Sequence, residues 1–93
     1  MSEYISIKSL ASFHNLDENL LLEIVEYEIV PIKRTRSEVM ISSEYLDEFE
    51  RALRLHLELG VNLQGVDIIC RMRNQIQEMQ DEIARLNRLL EFK

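Results

Sequence analysis

The chain has 93 residues, enough for one small domain that buries only about two-thirds of its unfolded surface and so gains from a partner or a second copy. With 46% apolar residues, two Gly and one Pro, its composition is that of an ordered, helix-rich protein, without low-complexity tracts or repeats. Seventeen acids against eleven bases give a net charge of −6, which speaks against a surface built to neutralise phosphates.

The opening "MSEYISIKSL" lacks a basic region followed by an apolar core, and no run approaches the ~18 apolar residues of a membrane span. Neither export nor insertion is expected, and the location read from this is cytoplasmic. The single Cys70 forms no internal disulfide, in agreement with a reducing compartment.

Taken in chain order, "YISIKSL" starts with alternating Ile5 and Ile7, a short strand, and runs into a brief helix, "KSLASFHN", with Leu10, Ala11 and Phe13 as expected core contacts. Asn15 and Leu16 make a turn. Asp17 is a good N-cap and Glu18 suits the positive end of a helix dipole, so a second helix is expected over about 18–27. Pro31 biases Val30 to an extended conformation and ends it. Two apolar runs, Val30 to Ile32 and Val39 to Ile41, then flank the polar "KRTRSE" as a hairpin or wing. Ser43 is expected to cap a third helix, "EYLDEFERALRLHLEL", whose Leu46, Phe49, Leu53 and Leu57, with Ala52, Leu55 and Leu59, cover more than one side.

Gly60 is a helix C-terminal signal and Asn62 an N-cap for a last helix running to about Leu90. That helix has the clearest periodicity in the chain. Ile69, Met72, Ile76, Met79, Ile83, Leu86 and Leu90 follow a 3-4-3-4-3-4 spacing, a heptad seam, with β-branched residues at most of the a positions. A seam with a period of 3.5 residues on a helix of ~30 Å reaches beyond so small a body, so pairing with a second copy is expected over folding back. The flanking Arg73, Gln75, Gln80, Glu82, Asn87 and Leu89 do not specify the direction of pairing. The chain therefore divides into residues 1–60 and a dimerisation helix at residues 61–93.

This order of helix, helix, wing, helix and long helix resembles the MerR-like winged helix-turn-helix class. Within it, "LLEIVEYEIVPI" followed by "ERALRLHLELGVNLQGVDII" resembles the CbpM family of chaperone modulators, over about residues 5 to 90. The resemblance implies a mainly α fold with a small β wing and a long C-terminal coiled-coil helix. It also implies binding to the J-domain of a CbpA- or DnaJ-like co-chaperone, and inhibition of its work with the DnaK-type chaperone. The chain departs from the pattern in two places. Val39, Met40 and Ile41 stand where family members often carry aromatics, and Glu28 stands where DNA-binding MerR relatives usually have glycine.

On a helical wheel, Leu20, Leu21, Ile24 and Tyr27 of the second helix gather on one side, with Val25 at the margin. Glu18, Asn19, Leu22, Glu23 and Glu26 occupy the other. A solvated face is the ordinary meaning of such a charge run. In this architecture, however, the outer face of the second helix is the functional surface, and it carries carboxylates around an exposed Leu22. Against DNA each carboxylate would face phosphate at a cost of about 1 kcal/mol even in water-like dielectric. Against a basic protein helix, such as J-domains carry, the same field speeds and orients association while Leu22 anchors it.

Lys33, Arg34 and Arg36 at the wing tip are the argument for the alternative, a MerR-class DNA-binding transcriptional regulator, since a winged domain can touch phosphates with such a tip. Catalysis finds little support. His14, His56 and Cys70 are scattered over different helices as boundary or half-buried residues, and no nucleophile–base pair, phosphate loop or metal-ligand spacing occurs. No cofactor, metal, membrane or small-molecule substrate is expected.

Overall fold

Ser6 is where the chain turns from strand to helix. Its Oγ accepts from the Ser9 N–H at 3.0 Å, so helix α1 (Ile7–His14) begins directly after strand β1 (Tyr4–Ser6) in the computed structural model, which describes residues 3–91. Ile7 thus belongs to the helix and not to the strand, which moves the buried stripe to Ile7, Leu10 and Ala11. Phe13 lies roughly 110° round the helix from that stripe and is 82% exposed, correcting its expected place in the core.

Asn15, at φ 56°, closes α1 in the left-handed conformation, its N–H reaching back to Ser12 O. Asp17 then caps α2 (Glu18–Glu26), accepting from the Asn19 N–H at 2.9 Å. α2 buries Leu21, Ile24 and Val25. Tyr27 is its C-cap and adds no weight to the wheel, so the buried face is turned by roughly 60° from the expected one. Leu20 and Leu22 flank that face as partly buried residues, and Leu22 packs against the core instead of standing fully exposed.

The wing is formed by β2 (Ile32–Arg34) and β3 (Val39–Ser42), and β1 completes an antiparallel sheet in the order β1-β3-β2. Ile41 is opposite Ile5 on one side and Ile32 on the other, so a row of three isoleucines crosses the sheet and its centre is fully buried. Ser43 is engaged in this ladder, its N–H donating to Glu3 O at 2.7 Å. The capping falls instead to Ser42, whose Oγ accepts from the Glu44 N–H at the start of a 3-10 turn, Ser43–Tyr45. α3 (Leu46–Leu57) follows without a side-chain cap and is shorter than expected at both ends.

α3 buries Phe49, Ala52 and Leu53, while Leu57 is half exposed and Leu59 lies beyond the helix end. Gly60, at φ 69°, turns the chain, and the Val61 N–H donates to Leu55 O at 3.0 Å. Asn62 Oδ1 accepts from the Gly65 N–H at 2.8 Å and starts α4 (Leu63–Glu91). Val66 and Cys70 in its first turns are buried in the same core as α1, α2 and α3. From Arg71 onward every described residue of α4 is exposed, and the helix stands out from the body. Among the described residues no helix is long and apolar enough to cross a membrane.

Candidate functional site

α2 and the wing lie side by side and enclose an open groove of about 510 Å³. Glu18 and Leu22 form its helical wall, the wing segment from Arg34 to Val39 the opposite wall, and Ser6 to Lys8 its end. Of the residues expected at the partner face, Glu18, Asn19, Glu23 and Glu26 are exposed, and Leu22 is half-buried. Leu22 therefore offers one edge to the groove and gives the rest to packing.

The three wing bases separate. Strand alternation puts Lys33 and Arg34 on opposite faces, and Lys33 sits 4.9 Å over the Tyr4 ring, away from the groove. Arg34 lines the groove and reaches Glu26 on α2 at 3.5 Å. Both partners are exposed, so this pair is worth about 0–1 kcal/mol and acts mainly as a brace between wing and helix. Arg36 at the wing tip stays exposed.

Lys8, Ser37, Glu38 and Val39 also line the groove and were not singled out in the sequence. A signal for Lys8 was present: Ser6 with Ser9 three residues on is a capping pattern, which starts α1 at Ile7 and sets Lys8 on its first turn beside the wing.

The residues set aside as non-catalytic are dispersed. His14 Nε2 lies 3.5 Å from Glu50, and His56 Nδ1 lies 2.8 Å from Val61 O, bracing the α3–α4 turn. Cys70 is buried, and desolvation pushes its thiol above the ordinary value, which suppresses the reactive thiolate. No group of three metal-ligating side chains comes together among the described residues.

The seam residues of α4 fall on one exposed stripe, from Ile69 at 38% exposure to Leu90 at 62%. Ile68 and Leu89, one position before the first and last of them, are exposed as well. Charges on the other faces of the helix pair locally. Arg71 donates to Asp67 at 3.0 Å, and Arg85 to Glu82, which holds the Glu82 carboxyl below its usual value.

Compared with known proteins, residues 5–88 match the family described as MerR HTH family regulatory protein. No curated protein and no solved structure matches the chain.

Proposed function

The chain belongs to the MerR helix-turn-helix family of regulatory proteins, and on that premise we propose that it is a CbpM-like chaperone modulator. It binds the J-domain of a CbpA- or DnaJ-like co-chaperone and, by occupying that surface, inhibits its action with the DnaK-type chaperone, without chemistry of its own. Residues 1–60 meet the partner, and residues 61–93 pair two copies through the α4 seam.

One observation carries the reading. The outer side of α2, where a DNA-binding relative would need to approach phosphate, presents Glu18, Glu23 and Glu26 around a half-buried Leu22, and no base. Such a surface attracts a basic helix over a distance of about 8–10 Å at ordinary ionic strength. A leucine edge at its centre supplies an apolar contact from which water is excluded.

Calorimetric titration of the chain with the J-domain encoded in the same genome is the test. Glu23→Lys with Glu26→Lys is expected to weaken binding by about tenfold or more and leave helicity unchanged. Leu22→Ala is expected to weaken it too, but Leu22 also packs on the core, so that variant needs a parallel melting curve. Binding unaffected by the charge reversal would remove α2 from the interface.

The second reading, a DNA-binding transcriptional regulator, is favoured by the family itself and by Arg36 exposed at the wing tip. A gel shift with promoter DNA beside a J-domain pull-down separates the two.

A further inference from the structure

The groove beside α2 carries charge of both signs. Glu18 stands on the helical wall, Arg34, Arg36 and Glu38 on the wing wall and Lys8 at the α1 end, so the side facing α2 keeps a surplus of positive charge, and Leu22 and Val39 give the lining its apolar part. Arg34 is engaged with Glu26, whereas Arg36 and Lys8 have no ion-pair partner among the described residues. Nor are they needed to shape the wing. The Thr35 N–H donates to Glu38 O at 2.8 Å and the Glu38 N–H to Thr35 Oγ1 at 3.1 Å, so Arg36 and Ser37 ride on a turn that closes by itself. A rigid support of this kind lowers the ordering cost of a contact made by the side chain it presents.

This arrangement discriminates between occupants. A uniformly basic segment in the groove would be drawn to Glu18 and repelled by Arg36 and Lys8. A phosphate backbone would meet the reverse. A protein segment with an apolar residue between a base and a carboxylate satisfies both walls, and mismatched charge excludes the other two.

We infer that the groove binds such a bipolar segment of the partner, with its base or bases toward α2 and its carboxylate toward Arg36 and Lys8. The wing is thus half of the contact. This rests on the reading of α2 as the partner face.

The test is titration of the J-domain into the full chain and into two double variants, Glu18→Lys with Glu23→Lys, and Arg36→Glu with Lys8→Glu. All four positions are exposed, and circular dichroism checks that the fold is kept. Both variants are expected to bind about tenfold or more weakly, and Arg36→Gln with Lys8→Gln to lose less than the reversal. Changing the surface carboxylates of the J-domain to lysine one at a time should find one that restores binding to the Arg36→Glu, Lys8→Glu chain. If the acid reversal loses binding and the base reversal binds as tightly as the wild type, the bipolar contact is overturned and the α2 reading stands. If the wild-type chain binds no J-domain, both fall. If duplex DNA displaces the J-domain from the wild-type chain, the groove is a phosphate site and the inference is overturned.

Discussion

Glu28 carries the chain from α2 toward β2 at φ 54°, a left-handed conformation that costs a non-glycine residue about 1 kcal/mol. This is the position where DNA-binding MerR relatives usually have glycine, the residue that takes such a conformation without a Cβ clash. Glu28→Gly is expected to raise stability by up to about 1 kcal/mol, read as a higher urea midpoint with an unchanged slope. Cys70 provides a second residue-level check. Burial raises its thiol above the ordinary 9.0. The folded state thus holds the proton more tightly than the unfolded one, so this contribution is full below the unfolded thiol value and is lost as pH rises past it. Thiol alkylation at neutral pH should be slow in the native protein and fast in urea. The capping residues Asp17 and Asn62 could be read from the sequence because a cap is a local hydrogen bond. Phe13 and Leu22 could not be placed. Each depended on which residue begins or ends a helix, and a shift of one position there rotates the whole buried face.

At the scale of elements, the hairpin and the long helix were legible because each is a periodic pattern. The pairing of β1 with β3 was not, because a strand of three residues has no periodicity and its partner lies more than 30 residues away. The α4 seam makes a sharper expectation once exposure is known. In an antiparallel pair with Ile69 opposite Leu86 of the second copy, Met72 opposite Ile83 and Ile76 opposite Met79, the exposed Ile68 falls beside Leu89 at both ends. A parallel pair sets Ile68 near Arg73 instead, leaving two exposed apolar side chains unused. Ile76→Glu should therefore give a monomer by sedimentation. Ile68→Glu and Leu89→Lys should each weaken the dimer, and combining them in one chain should restore it. A combination no better than either single change would rule out the antiparallel register.

For the whole molecule, the body formed by α1, α2, the wing and α3 holds the groove, and α4 projects from it, giving overall dimensions of 54 × 33 × 19 Å. The acids of α2 were legible in the sequence, but the groove was not. It is tertiary, made by the wing folding back along α2 and by the start of α1 closing one end. Salt dependence belongs at this scale. If charge on the two walls orients the partner, affinity should fall steadily as ionic strength rises from about 0.05 to 0.5 M, where the screening length drops from about 14 to 4 Å.

Whether the acidic face of α2 is the partner surface is decided by titrating the J-domain into the wild-type chain beside its Glu23→Lys, Glu26→Lys variant. The expected result is saturable binding by the wild type, weakened about tenfold or more by the reversal, with the fold intact by circular dichroism. Equal affinity for the two chains, or no binding to either, would contradict it.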